Sequence, residues 1–160
     1  MSDPTPEKGG VVCAIDVNDY DQNTIDLAAT YASHFGVDVD LLHVTLIPDP
    51  GTAAWPAYVG SPDLLIRDSR KLQQVDTQVP DVELRCHQMS GLPAQEILEF
   101  IDRNPPRLLV MGTHGRQGIA RIFGSVATKV MRHATCPVLM LKQLSERSIP
   151  TKHPAAGVDG

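Results

Sequence analysis

The sequence predicts an α/β domain organised on a doubly wound parallel sheet. Two observations lead to it. Short, wholly apolar runs of strand length occur at residues 11–15, 108–111 and 138–141, and a strand covered by helices on both faces reads this way. Between such runs lie segments whose apolar residues recur every three or four positions. Strands and helices therefore alternate in the order β-α-β-α-β-α-β-α-β.

Val11-Val12-Cys13-Ala14-Ile15 is the first strand, and Asp16 marks its C-terminal end. Ile25, Ala28, Ala29, Ala32 and Phe35 then line one helical stripe, with Gly36 as its stop. Residues 37–44 read as the second strand. Residues 47–60 read as a loop, because Pro48, Pro50, Gly51 and Pro56 punctuate them. Ser61-Pro62 opens a second helix as N-cap and first helical residue. Val82, Leu84 and Cys86 alternate with Glu83, Arg85 and His87, the pattern of a half-exposed strand at a sheet edge. Pro93 opens a third helix that turns Ile97, Leu98 and Ile101 inward, and Pro105-Pro106 ends it. A buried strand at 108–111, a glycine-bearing loop at 112–124, a helix at 125–133 and a last strand at 137–142 complete the series.

The chain of 160 residues suffices for one domain with a substantial core. The expected domain spans residues 11–142. Residues 1–10 read as a loose arm, and 143–160, with Pro150, Pro154, Gly157 and Gly160, as a polar tail. Lys and Arg number 14 against 19 Asp and Glu, a net charge of -5 that argues against general nucleic-acid binding. The polar N-terminus carries no apolar stretch of signal-peptide type, and no apolar run is long enough to cross a bilayer. Cys13, Cys86 and Cys136 are odd in number and widely spaced, which fits free thiols in a reducing, cytoplasmic compartment. The six histidines show no metal spacing.

The chemistry concentrates after the strand at 108–111. In a doubly wound sheet a ligand binds beyond the C-terminal strand ends, where the winding reverses. Gly112-Thr113-His114-Gly115 occupies one such end. Gly112 and Gly115 let backbone N–H groups approach an anion closely. Gly124-Ser125 then opens a helix whose first N–H groups and positive dipole end suit a phosphate. Each glycine alone is explained by a turn or a helix start; together, between a buried strand and a helix, they favour phosphate binding. The loop matches neither a Walker A sequence nor a dinucleotide fingerprint.

These residues carry a resemblance. Met-Gly-Thr-His-Gly-Arg from Met111, then Gly-Ser-Val-Ala from Gly124, then Cys-Pro-Val-Leu from Cys136 resemble the C-terminal signature of universal stress proteins. Val12 to Asp16, Leu41-Leu42-His43-Val44 and Gly91-Leu92-Pro93-Ala94 resemble that family's other landmarks, in the same order. The resemblance implies a five-stranded sheet in the order 3-2-1-4-5, of the adenine-nucleotide alpha-hydrolase-like, Rossmann-like kind. It implies ATP as ligand, with or without Mg2+, AMP and ADP being alternatives. ATP-binding members carry Gly-x2-Gly-x9-Gly-(Ser/Thr). By that match Gly112, Gly115, Gly124 and Ser125 meet phosphates and ribose. Asp16, with Ala14 and Ile15, borders the adenine or ribose, Val44 closes the base pocket, and Met111 and Val126 add backbone or packing contacts. Here Gly115 and Gly124 enclose eight residues, one fewer than the pattern. A deletion within a loop costs little, whereas one within a helical turn rotates the downstream residues by about 100°. The intact Gly-Ser-Val-Ala points to an undisturbed helix start.

Other polar residues have two readings. Asp16 caps a turn or contacts a ligand, and its place beside the glycine loop favours the ligand. His43, behind two apolar residues, reads as a satisfied structural histidine. His114 fixes its own turn or faces the ligand, and Arg116 and Arg121 are solvated charges or phosphate contacts. Trp55 and Tyr58 pack on the scaffold or fold over a nucleotide. Asp19 and Asp21 form an acidic helix start or reach Mg2+. Arg132 and His133 suit a helix C-terminus. No catalytic constellation can be assigned.

Three function classes fit these residues. The first is a nucleotide-binding regulatory protein of a stress response, with slow or no hydrolysis. The second is an ATP-using enzyme, disfavoured because Asp16-Val17-Asn18-Asp19 stands where an ATP-pyrophosphatase shows Ser-Gly-Gly-x-Asp-Ser. The third is a family member that binds no nucleotide and acts through protein contacts, which the short loop keeps open. The apolar run Val138, Leu139, Met140 and Leu141 on an edge strand implies a homodimer through that strand.

Overall fold

The structure, a computed structural model, describes residues 9–59, 63–113 and 124–142. Its elements are β1 (Val11–Ile15), α1 (Gln22–Phe35), β2 (Val39–Leu46), α2 (Trp55–Val59), α3 (Leu64–Leu72), β3 (Leu84–Gly91), α4 (Pro93–Arg103), β4 (Leu108–Gly112), α5 (Ser125–His133) and β5 (Val138–Leu141). The five strands form one sheet in the order β3-β2-β1-β4-β5, and every neighbouring pair is parallel. The expected fold class and strand order are those observed.

Each apolar strand divides its side chains between two cores. Val11, Cys13, Leu41 and Val110 pack with Ile25, Ala28, Ala29 and Ala32 of α1 and with Leu72 of α3. Val12, Ala14, Leu42, Val44, Leu109 and Met111 pack with Ala94, Ile97, Phe100 and Ile101 of α4 and with Ala127 and Val130 of α5. The helices α1 and α3 therefore cover one face and α4 and α5 the other. Small residues on α1 let that helix lie close to the sheet. Its ends are marked by Asp21, whose side chain accepts from the Asn23 N–H, and by Gly36, which adopts the left-handed conformation (φ 68°) that glycine tolerates best.

Several boundaries differ from expectation for identifiable reasons. The strand expected over 37–44 runs from Val39 to Leu46. Val37 is drawn into the helix stop instead, its N–H donating to the Ala32 carbonyl at 3.0 Å. The loop expected over 47–60 contains α2, because Pro56 falls in its first turn, where no intrahelical N–H partner is needed. The helix start expected at Ser61-Pro62 lies outside the described residues; Asp63 precedes α3. The N-terminal residues 1–8 and the tail from 143 also lie outside them. Within the expected arm, Gly9 and Gly10 are tied to the approach to β4. The Gly9 N–H donates to the Pro105 carbonyl, and the Gly10 carbonyl accepts from the Arg107 N–H.

Strand β3 lies at the sheet edge and is half-buried along most of its length, as expected. Its polar residues nevertheless include a buried cluster. His87 is buried, its Nε2 2.8 Å from Asp40 Oδ1, and the Arg85 Nε lies 3.2 Å from the same oxygen. The His87 ring also sits edge-on to Phe100 of α4, with centroids 5.1 Å apart. The Asp40 carboxylate on β2 is thus buried with two basic partners, as a charge removed from water requires.

The core sets a stability expectation. Leu41 is fully buried, while Leu46 is 55% exposed on the same strand. Urea unfolding should show Leu41→Ala losing about 2–5 kcal/mol and Leu46→Ala changing by less than about 0.5 kcal/mol.

Candidate functional site

The winding reverses between β1 and β4. The chain leaves β1 for α1 on one face and leaves β4 toward α5 on the other, so the strand ends part and a cleft opens between them. The cleft has a volume of about 860 Å³, within the usual range for a small-molecule site. Of the residues expected to contact a ligand, Ala14, Ile15 and Asp16 line it from the end of β1, and Val44 from β2. Met111 and Gly112 line it from β4, and Gly124, Ser125 and Val126 from the start of α5. Gly115, with His114, Arg116 and Arg121, lies outside the described residues. The structure thus brings every described member of the expected set to one cleft.

The α5 start turns its first amides toward the cleft end of the helix. The Gly124 N–H is engaged by the Thr113 carbonyl at 2.9 Å. The first bond of the helix is Thr128 N–H to the Gly124 carbonyl, also 2.9 Å. The amides of Ser125, Val126 and Ala127 stand ahead of that bond, with no place in the intrahelical ladder, and all three residues line the cleft. The N-cap residue, Gly124, has no side chain to cap these amides. Gly112 has room: a Cβ there would come no nearer than 3.9 Å to the Leu141 carbonyl oxygen.

The two walls of the cleft differ in character. Leu42, Val44, Pro93, Ile97, Met111 and Val126 make an apolar wall beneath α4 and α5. Asp16, Asn18, Thr24, His43, Thr45, Arg67 and Asp68 make a polar one beneath α1 and α3. Asp16 shapes its own turn, with Oδ1 accepting from the Asn18 N–H at 2.9 Å and its carbonyl accepting from the Asp19 N–H at 3.0 Å. Asp19, Tyr20 and Asp21 continue that rim. Ala54 and Ala57 flank and enter α2 at the cleft, whereas Trp55 is not among the lining residues.

Sequence reasoning missed the polar network behind this wall. His43, buried on β2, places Nε2 3.1 Å from Asp68 Oδ2 on α3. Thr45 Oγ1 donates to the same oxygen at 3.0 Å. Asn18 Nδ2 donates to Asp68 Oδ1 at 3.2 Å, and Arg67 Nη2 lies 3.3 Å from that oxygen. Asp68 is only 3% exposed. Burial pushes its carboxyl up, but hydrogen bonds from His43, Asn18 and Thr45, with the nearby His43, hold it below the ordinary value. One signal was available: Asp68 lies four residues before Leu72, on the buried stripe of α3. A carboxylate on an apolar stripe needs a buried partner.

Cys13 is a free thiol, fully buried on the central strand, and burial pushes it up to about 12. Cys86 and Cys136 are free thiols that burial also raises. None has the lowered value of a nucleophile. Among the described residues no helix is long and apolar enough to cross a membrane.

Residues 10–142 match the universal stress protein family. Universal stress protein MJ0531 of Methanocaldococcus jannaschii is 31% identical over 138 residues, 83% of this chain and 81% of its own. Universal stress protein A homolog 1 of Coxiella burnetii is 29% identical over 133 residues, 81% of this chain and 92% of its own. Among solved structures, the universal stress protein UspA from Lactobacillus plantarum aligns with a TM-score of 0.65 at 20% identity, covering 86% of this chain and 99% of that one. A universal stress protein in complex with cAMP aligns with a TM-score of 0.56 at 20% identity, covering 83% and 96%. The chain belongs to the universal stress protein family and has its α/β adenine-nucleotide alpha-hydrolase-like fold.

The Asp68 network makes stability depend on pH. A carboxyl held below its unfolded value contributes stability above that value and loses it as pH falls through the folded one. Asp68→Asn should therefore cost about 1–3 kcal/mol at neutral pH. The gap from wild type should narrow as pH drops below 3.8, the ordinary value of the group. Urea unfolding of both proteins at pH 7 and pH 3 checks this, and an unchanged gap would contradict it.

Proposed function

We propose that this universal stress protein is an adenine-nucleotide-binding regulatory protein of a stress response. Its ligand is ATP, with or without Mg2+, or AMP or ADP. The observation that carries the proposal is the convergence of Ala14, Asp16, Val44, Gly112, Ser125 and their neighbours on one cleft with a helix N-terminus at its edge. The apolar wall under Val44 and Met111 suits a base. The amides ahead of the α5 ladder suit a phosphate. Asp16, at the end of β1 on the same cleft, offers a carboxylate that can accept a ribose hydroxyl. The related structure that holds cAMP supports an adenine nucleotide as the ligand class. Three free thiols fit a reducing, cytoplasmic setting.

The nucleotide acts as a ligand rather than a fuel. His43 and Asp68 are the described histidine–carboxylate pair at the cleft, and both are committed to buried hydrogen bonds. Gly112→Val places a branched side chain at the cleft with room in the fold for its Cβ. Calorimetry should show wild type binding ATP and the variant binding it about tenfold more weakly or not at all. Steady-state phosphate release should stay well below about 1 s⁻¹, the lower end of ordinary enzyme turnover. Equal affinities would remove the site. Failure of both proteins to bind adenine nucleotides would favour a family member working through protein contacts alone.

The regulatory form is a homodimer paired through β5. This strand pairs with β4 on one side and, among the described residues, ends the sheet. Val138, Leu139, Met140 and Leu141 are only half-buried, with side chains toward both cores and no charge among them. Antiparallel pairing of two copies about a two-fold axis would satisfy the edge backbone and cover these side chains. Sedimentation at micromolar concentration should give a dimer for wild type and a lower mass for Leu139→Lys. A wild-type monomer would refute this assembly.

A further inference from the structure

We propose that His43 and Asp68 form a proton-responsive positioning pair that sets the backbone on either side of Asp16, and thereby the affinity of the cleft. The effect on affinity rests on the nucleotide reading of the cleft; the effect on the backbone does not. The geometry is specific. His43 Nδ1 lies 3.3 Å from the Val17 N–H and 3.2 Å from the Ile15 carbonyl oxygen. One group is a donor, the other an acceptor, and the two flank Asp16. A single ring nitrogen cannot serve both.

The other nitrogen decides which it serves. Nε2 faces Asp68 Oδ2, which also accepts from Thr45. An ionised carboxylate accepts only, so Nε2 carries a proton in both states of the ring. In the neutral ring Nδ1 is bare and accepts from Val17. In the imidazolium Nδ1 carries a proton, donates to the Ile15 carbonyl, and leaves the Val17 N–H without its acceptor. The bond switches from the residue after Asp16 to the residue before it. Asp68 remains the counter-ion throughout, and the Coulomb attraction strengthens when the ring is charged.

The pair joins the elements that shape the polar wall. Asp68 is anchored on α3 and reaches Asn18 in the β1–α1 turn. Lys71, also on α3, donates to the Asn18 side-chain oxygen. Asp68 is the charged group on His43; around it lie Arg67 beside the same carboxylate, Lys71 on the Asn18 side chain, and Asp16, Asp19 and Asp21 on the same cleft. From the strands, Thr45 and, through it, Gln88 supply uncharged partners. In this scheme the neutral ring, bonded to Val17, keeps Asp16 at the cleft and is the binding-competent state.

The test has two arms. In the ligand-free protein, amide resonances of Asp16, Val17 and Asn18 should move together with the His43 ring resonances as the pH is scanned. His43→Gln should abolish that movement. Asp68→Asn should shift its midpoint to lower pH, because the imidazolium loses its counter-ion. If His43→Gln does not fold, the Asp68→Asn shift decides. Amides that do not titrate in wild type, or that titrate equally in His43→Gln, would overturn the proposal and assign any movement to the carboxylates. In the second arm, cAMP is the probe, because its phosphodiester does not titrate over the pH values compared. Its affinity should fall about fivefold from pH 8 to pH 5.5, as expected for one weakened hydrogen bond, and stay level in His43→Gln. Equal cAMP affinity at both pH values in wild type would refute the coupling to the cleft. Titrating amides with no binding of cAMP or ATP at any pH would retain the positioning pair and refute the nucleotide reading.

Discussion

The architecture depends on one constraint: β1 must pair on both sides at once. Its backbone runs in register with β2 from Val11 to Ile15 and with β4 from Val11 to Ala14. A central strand with parallel neighbours on each side must send its two crossover sets to opposite faces if they are to share a hand. The cleft is the geometric result. It needs no excavation of the core, because the connections simply diverge there. The strand lengths deepen it. After Ile15 the chain turns away, while β2 and β3 stay paired as far as Leu46 and Gly91. The projecting end of β2, from Val44 to Leu46, forms a wall that β1 does not reach, with β3 paired behind it.

Two buried carboxylates on opposite faces of the sheet illustrate different solutions to one problem. Asp40 is enclosed by Arg85 and His87, all on neighbouring strands, and binds the edge strand to its neighbour. Asp68 comes from a helix and is met by a strand histidine, a threonine and a turn asparagine. The first arrangement joins parts of the sheet that already share a backbone ladder. The second joins a helix, a strand and a loop that share none, so it governs their relative placement at the cleft. Breaking such a contact leaves a buried charge under-compensated, which is why single substitutions there are costly.

Much of this was legible in the residues. Continuous apolar runs located β1, β4 and β5, and Gly124 and His133 bracketed α5 closely, because each signal is local. The glycine-and-serine pattern located the α5 end of the cleft for the same reason. Long-range pairings were not legible. His43 and Asp68 are separated by 25 positions and His87 and Asp40 by 47, and alternation in a strand reports which residues share a face without reporting what covers it. The alternation in β3 therefore predicts a half-exposed edge without predicting that α4 covers His87. Likewise Pro56 argued for a loop because a proline reads as a break until its place in the first turn of a helix is known.

The burial of Cys13 gives the molecule an internal clock for its own opening. This sulfur sits mid-way along β1, contacts the Thr24 carbonyl at 3.9 Å and has no solvent exposure. With its thiol pushed up to about 12, it is neither accessible nor ionised while the sheet is closed, and alkylating reagents act on the thiolate. Modification at this position therefore requires α1 to leave the sheet or the strand itself to come apart. The rate at which a reagent consumes Cys13, relative to the less buried Cys86 and Cys136, tracks the frequency of openings that reach the core.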